Sequence, residues 1–384
     1  MKQYDYIITG AGCAGLSLLY RMMQQSFFDD KKILLIDKQH KNQNDRTWCF
    51  WEVDNGLFEN IVHHCWQQID FYSTDFSARF DLHPYQYKMI RGIDLYETVL
   101  NQAEQKTNIE IVYDEIVSVF SNESYAAVKS NGNEFHAQYV FNSILFDDWK
   151  QKALQQKNIH VLLQHFTGWL IETNDIKFDY RIATFMDFRV DQTHGSTFSY
   201  VLPISANKAL IEFTLFSENI LPSEVYSKAL KNYIQTHLKI TNYNITHKEV
   251  GIIPMTNYSF SKGEGRVINI GTAGNQTKAS SGYTFQFIQK HSAKIIDALI
   301  NNQNPLFKDS IADKRFRLYD SILLGILKHG KISGEKFFTQ LFKKNPPQRI
   351  LKFLDNETNL KEELKVMNSV SLPDFAAAAL REVF

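Results

Sequence analysis

Six residues near the amino terminus, Gly10-Ala11-Gly12-Cys13-Ala14-Gly15, have the spacing of a turn that cradles phosphate. Gly10 permits the tight turn, Gly12 lets backbone approach a pyrophosphate, and Gly15 lets a helix pack on a strand. The helix that follows would offer unpaired N–H groups and a positive dipole end. Asp37, roughly 20 residues on, is the type of residue that accepts hydrogen bonds from a ribose diol. Arg46 is a candidate for phosphate or adenine contact, and Arg91 for contact with the cofactor. A different chemistry attaches to Glu212, which stands between Ile211 and Phe213. Burying a charged carboxylate there costs several kcal/mol, so it must pair or hold a proton near neutral pH, as a proton donor and acceptor does.

The elements needed to position these groups are legible. Residues 4–9 read as a buried strand, 16–24 as a helix and 32–36 as a second strand, so the glycine turn sits inside one βαβ unit. Late in the chain, residues 266–270 read as a strand running into Gly271-Thr272-Ala273-Gly274. Lys278 to Tyr283, including Gly282, then opens a helix over 284–300 that Ser280 or Ser281 could cap. This is the arrangement of an FAD or NAD site in which one unit holds the ADP half and a distant loop closes over the other half. Between them, residues 109–119, 125–129 and 134–141 read as a small β meander. Alternating segments at 168–173, 181–190, 197–202 and 208–216 predict an antiparallel sheet that could serve as a substrate wall. On its last strand Leu210, Glu212, Thr214 and Phe216 share one face. Trp48, Phe50 and Trp51 either line an apolar cavity or plug the loop that carries them.

Composition narrows the classes. The 384 residues contain 42 Lys+Arg and 42 Asp+Glu, so no global field points to nucleic acid. Aromatic residues make up 14%, with 29 Phe and 18 Tyr, which supplies flat apolar contact surface. Cys13, Cys49 and Cys65 form no C-x-x-C pair, as expected of a reduced cytosolic protein. Adjacent His63 and His64 have no second ligand pair at suitable spacing, so no metal site is expected. No apolar run reaches the ~18 residues of a membrane-spanning helix. Residues 305–354 are basic, with eleven Lys/Arg against four Asp/Glu, and carry Leu323, Leu324, Leu327, Phe337, Phe338, Leu341 and Phe342. Such a segment either rests on anionic lipid or is an ordinary solvated helix pair.

Several segments together resemble one family, the FAD-binding lycopene cyclases of carotenoid synthesis. Asp45-Arg46-Thr47-Trp48-Cys49-Phe50-Trp51 is similar to that family's R-T-W-x-F-W loop. Phe185-Met186-Asp187 with Gln192, Gly195, Phe198, Tyr200 and Leu202-Pro203 resembles its M-D…Q…G…F-x-Y-x-L-P run, and Ile211-Glu212-Phe213-Thr214 its glutamate strand. Gly251-Ile252-Ile253-Pro254-Met255, Gly271-Thr272-Ala273-Gly274 and Lys278-Ala279-Ser280-Ser281-Gly282-Tyr283 match its G-x-x-P-M, G-x-A-G and K-x-S-x-G-Y motifs. Flavin hydroxylases carry Asp where Thr272 stands, and Phe213 replaces a second acid that often follows the family's glutamate. Glu212 is therefore expected to work without an adjacent carboxylate.

The resemblance implies an α/β fold: a Rossmann-like FAD-binding domain of the flavin-hydroxylase type with an inserted antiparallel β-sheet substrate domain and a C-terminal helical region. The expected divisions are 1–145 for the βαβ region and meander, 146–250 for the sheet, 251–300 for the return to the cofactor, and 301–384 for the helices. It implies a lycopene beta-cyclase that closes the linear ends of lycopene into β rings, giving γ-carotene and β-carotene without net redox change. Glu212 is expected to transfer the proton, with Asp187 a second candidate or a polar support. Gly10, Gly12, Gly15, Asp37, Arg46, Arg91, Gly271, Ala273, Gly274 and Gly282 are expected around FAD. The flavin would act reduced, with NADPH as reductant, and the protein would sit at the inner, cytoplasmic face of the cell membrane. The rivals are a redox-active FAD monooxygenase or polyprenyl reductase, and a non-catalytic prenyl-lipid carrier.

Overall fold

The computed structural model describes residues 2–146, 148–330 and 332–370. Part of the expected helical tail, residues 371–384, lies outside them. The glycine turn sits in a parallel sheet whose strands run, side by side, Val267–Asn269, Glu134–Asn142, Lys2–Thr9, Ile33–Asp37 and Ile109–Tyr113. Ile33, Leu34, Leu35 and Ile36 are all buried, as a strand covered on both faces requires. The helices Cys13–Met23, Gly92–Glu104 and Phe285–Ile300 cover one face, packing Leu16, Leu19, Leu95, Val99, Ile295 and Leu299 against Tyr6, Ile8 and Leu35. The expected meander is realised with one change. Ile116–Ser121, Ala126–Ser130 and Glu134–Asn142 pair antiparallel, but Ile109–Tyr113 leaves them to extend the parallel sheet. The helix after Gly282 begins at Phe285 with Thr284 as N-cap, and neither Ser280 nor Ser281 caps it.

A second sheet stands beside the first. Its seven strands run in the order Asn244–Thr256, Val161–Glu172, Lys208–Ser217, Ser196–Ser205, Ile182–Asp187, Gln68–Tyr72 and Ser77–Asp81. The last two come from the amino-terminal part of the chain, so this sheet is assembled from distant segments. Alternation divides its faces. Ile211, Phe213 and Leu215 pack under the helix Ser223–Thr236, against Tyr226, Leu230, Tyr233 and Ile234. Leu210 and Phe216 point the other way, into a core with Trp51, Phe185, Phe198 and the carboxy-terminal helices.

Those helices are Ile311–His329, Gly334–Lys344, Pro347–Leu354 and Leu360–Met367. Leu324, Phe337, Phe338, Leu341 and Phe342 are buried against the sheet, and Leu323 and Leu327 are partly buried there. The apolar stripe of this basic segment is thus core and not an outward docking face. Lys278, fully buried, pins the helices to the late glycine loop: its ammonium donates to Asp320 at 2.7 Å and Asn356 at 2.8 Å, while the Ser280 hydroxyl donates to Asp320 at 2.6 Å. Among the described residues no helix is long and apolar enough to cross a membrane.

Candidate active site

One cavity of about 450 Å³ runs between the two sheets. At one end it is lined by Gly12, Cys13 and Ala14, by Asp45, Arg46, Thr47 and Trp48, and by Gly271, Thr272, Ser281 and Gly282. At the other end it is lined by Cys49, Tyr87, Gln164, Phe166, Tyr200, Glu212, Glu249 and Tyr283. Residues from widely separated stretches of chain therefore meet around one space.

The glycine end has the shape of a dinucleotide site. A Cβ on Gly15 would collide with the Gly10 carbonyl, which is how this helix comes to lie against its strand. Gly10 takes φ +90°, in the region only glycine enters freely. At Gly12 a Cβ would meet nothing within 4 Å, so glycine is not needed there by any protein neighbour. The space above it is left for a ligand. Gly271 (φ +63°) closes the other side, where a Cβ would lie 2.9 Å from that of Ala14. Gly282 (φ +73°) lets the backbone pass Gln164, whose buried Oε1 has no hydrogen-bond partner; the Ser281 Oγ lacks one too. Orphaned polar atoms on a cavity wall fit a heterocycle with its own donors and acceptors.

The expected cofactor contacts divide. Gly12, Arg46, Gly271 and Gly282 line the cavity, whereas Gly10 and Gly15 shape the turn behind it. Asp37 faces inward: its Oδ2 accepts from the Ala11 N–H at 2.7 Å, its Oδ1 accepts from the Gln39 N–H at 3.1 Å, and Lys41 lies 3.4 Å away. In this arrangement it braces the glycine turn. Ala273 is buried and Gly274 packs on the Asn269 carbonyl, both off the cavity wall. Arg91 is absorbed by Asp94, donating through Nε at 2.7 Å and Nη2 at 2.6 Å, and does not reach the cavity. Of the loop aromatics, Trp48 lines the cavity while Phe50 and Trp51 are core. Trp51 and Tyr283 make an edge contact with centroids 4.6 Å apart, so Trp51 supports the wall from behind.

The sheet end holds the acid. Glu212 is 9% exposed, on the cavity face, as alternation from Leu210 to Phe216 predicts. The expectation that it stands alone is overturned. Gly168 pairs with Glu212 on one side and with Glu249 on the other, so the two glutamates flank a residue without a side chain. Burial pushes the Glu212 carboxyl well above the usual range, and the neighbouring Glu249 carboxyl raises it further by charge and hydrogen bonding. Glu249, 5% exposed, accepts from the Thr47 hydroxyl at 2.7 Å through Oε2, while its Oε1 is buried with no N–H or hydroxyl donor. Tyr87, Tyr200 and Tyr283 line the same wall, Tyr200 and Tyr283 near Glu212, their hydroxyls pushed up chiefly by burial. The Cys49 thiol on the same wall is raised well above its usual range by burial and then by Glu212.

Asp187, the other catalytic candidate, does not line the cavity. Both of its oxygens are taken by Arg189, at 2.9 Å from Nε and 2.7 Å from Nη2, and the Tyr233 hydroxyl donates to it at 2.8 Å. Its contacts are those of a polar support. Glu249, Gly168 and Thr47 carried no role in the sequence reading. The one local signal was Gly168, since a glycine inside a strand often marks close approach of other groups.

The fold is that of FAD-dependent oxygenases and reductases. A flavoprotein/dehydrogenase from Cytophaga hutchinsonii aligns over 100% of this chain and 99% of its own, at TM-score 0.64 and 12% identity. A geranylgeranyl bacteriochlorophyll reductase-like protein from Thermoplasma acidophilum aligns over 98% and 96%, at 0.57 and 12%. The p-nitrophenol 4-monooxygenase of Pseudomonas putida aligns over 100% and 98%, at 0.58 and 12%. Identities this low establish the fold alone. The particular family comes from the sequence match to the lycopene cyclase proteins over residues 5–381: the chain belongs to that family. No curated protein sequence matches it.

Proposed function

We propose that the protein is an FAD-dependent lycopene beta-cyclase that closes the linear ends of lycopene without net redox change. The observation that carries this reading is Glu212: a carboxyl whose proton affinity burial raises well above the usual range, at the far end of the cavity whose near end is the cradle over Gly12. A polyene end group needs a proton donor in a dry site, followed by faces that tolerate positive charge while the ring closes. Glu212 supplies the proton. The rings of Tyr87, Tyr200, Tyr283 and Phe166 line the same space and offer their π faces to the cation.

Gly12, Cys13, Ala14, Arg46, Gly271, Thr272 and Gly282 would hold FAD. When bound and reduced, the flavin supplies fixed negative charge beside the cation, and NADPH would keep it reduced. Membrane contact is proposed at the cavity rim, where Val250 and Ile252 are 60% and 52% exposed. That surface would place the protein at the inner face of the cell membrane, next to its substrate. Failure of the protein to float with anionic liposomes, at low and high salt, removes this part of the reading.

The test is an anaerobic assay of the FAD-loaded protein with lycopene in liposomes and a chemical reductant, products being identified by chromatography and mass. Cyclised product of unchanged mass, formed only with reduced flavin, supports the reading. The names of the structural neighbours favour one rival, a redox-active monooxygenase or polyprenyl reductase. Product gaining hydrogen or oxygen, with matching reductant consumption, would establish that rival instead.

A further inference from the structure

We infer that Glu249 is a second catalytic carboxylate, which shares one proton with Glu212 across Gly168 and takes up the proton that ring closure releases. Thr47 is its positioning residue. The inference deepens the cyclase reading and rests on it for the identity of the carbon acid. Its structural half stands on the register of three strands. Lys208–Ser217, Val161–Glu172 and Asn244–Thr256 lie side by side, with Glu212, Gly168 and Glu249 in one row. A Cβ at Gly168 would lie 3.0 Å from the Glu249 Cγ and 3.1 Å from the Glu212 Cγ, so both side chains already lean over the glycine.

Two carboxylates placed like this in a dry site cannot both be charged, and sharing one proton removes the conflict. The hydrogen bonds say which is which. The Thr47 hydroxyl donates to Glu249 Oε2 and so favours Glu249 as the anion. Glu249 Oε1 is buried without an N–H or hydroxyl donor, and the protonated carboxyl of Glu212 is the group placed to fill it. The other titratable groups facing Glu212 are Cys49, Tyr200 and Tyr283, all neutral at physiological pH. Lys41 and Arg46 line the same cavity, but among the described residues no lysine or arginine forms an ion pair with either glutamate.

The chemistry balances with these two groups. The Glu212 carboxyl gives its proton to one carbon of the end-group double bond, and a C–H bond forms. The next π bond attacks the cation, and a ring C–C bond forms with positive charge on the neighbouring carbon. The ring carbon that has just formed the C–C bond, next to the cationic carbon, loses its proton to the Glu249 carboxylate, and the electron pair of the broken C–H bond becomes the new double bond. Glu212 is then the anion and Glu249 the acid. One proton passed back over Gly168 restores the starting state, with no electron gained or lost. A lone carboxyl would have to serve two carbons in opposite senses during one turnover.

The test has two arms. Infrared titration of the FAD-loaded protein without lycopene should show, beside the Asp355 carboxyl that titrates near 7, a protonated buried carboxyl at neutral pH that is lost in Glu212→Gln and moved to lower pH in Glu249→Gln. Unchanged titration in Glu249→Gln overturns the shared proton. In the cyclisation assay, Glu249→Gln should lower kcat by roughly 100-fold or more with little change in KM. Its alkaline limb should move to lower pH, because the charge that raises Glu212 is gone. Thr47→Val should lower kcat about 5- to 10-fold with its alkaline limb unmoved or moved to higher pH, because the lost hydrogen bond had favoured the Glu249 anion, and Glu249→Asp should recover part of the Glu249→Gln loss. Full activity and an unmoved pH profile in Glu249→Gln would overturn the inference even where Thr47→Val is impaired. If the wild type forms no ring while the infrared arm finds the shared proton, the cyclase reading fails and the carboxyl pair stands.

Discussion

Asp187 and Glu212 lie in the same sheet, on strands separated only by Ser196–Ser205, and each is buried. Their surroundings differ in one respect. Asp187 is enclosed by donors: both guanidinium arms of Arg189, the Arg189 N–H at 3.0 Å and the Tyr233 hydroxyl. Glu212 is faced by another carboxyl and by apolar and phenolic walls. Asp187 has all its lone pairs taken by donors, whereas the Glu212 carboxyl is pushed well above its usual range and has an open space beside it. Two acids of one sheet thus become a saturated ion pair and a carboxyl of raised proton affinity through what their neighbours donate or withhold.

The largest expected effect is at Glu212. Glu212→Gln keeps the shape of the side chain and removes the transferable proton, so cyclisation should fall at least ~1,000-fold, while flavin binding and melting temperature stay near wild type. Retained turnover would place the proton donor elsewhere. Asp187→Asn should do the reverse. Breaking its charged pair with Arg189, which is partly solvated, should cost about 1–3 kcal/mol of stability. The folded fraction should keep its kcat, as denaturant titration beside an activity assay would show. A kcat loss matching that of Glu212→Gln would erase the contrast between the two acids.

Smaller effects sharpen it. Gly12→Ala adds a methyl group where no protein atom stands within 4 Å, so the apo protein should lose little stability. Flavin affinity should nevertheless weaken about 10-fold or more, because the added carbon occupies the cradle of the pyrophosphate. Fluorescence titration with FAD reads this directly, and unchanged affinity would mean the cradle holds something else. Asp355, at the end of the helix Pro347–Leu354, is a third buried acid, and burial pushes it up to about 7. Its folded form keeps a proton that the unfolded chain releases near pH 4. Its contribution is therefore complete below that value and is lost as pH rises toward 7. Asp355→Asn should flatten this decline, and thermal melts between pH 5 and 8 should then diverge from wild type by a few degrees.

How much of this was legible depends on how local each signal is. The turn from Gly10 to Gly15 announces itself, because strand, turn and helix are contiguous and each glycine answers to an atom a few residues away. The face of Glu212 could be read too, since alternation along one strand sets it. Arg91 misled for the opposite reason. Its residue type suits a cofactor anion, but Asp94 takes its guanidinium first. The apolar residues of the basic tail misled similarly: a helix stripe reads alike whether a sheet or a lipid covers it.

From the sequence alone came the parallel nucleotide-binding unit, the antiparallel wall, the buried acid and the family, because each rests on spacing along a few tens of residues. Only the tertiary structure decided that Glu212 has a carboxyl partner. Glu249 is 37 residues downstream and reaches Glu212 because a third strand, some 40 residues upstream of Glu212, lies between them and offers Gly168 at the crossing point. Strand order and register are set by how whole sheets pack, and no local pattern encodes which three residues will share one row.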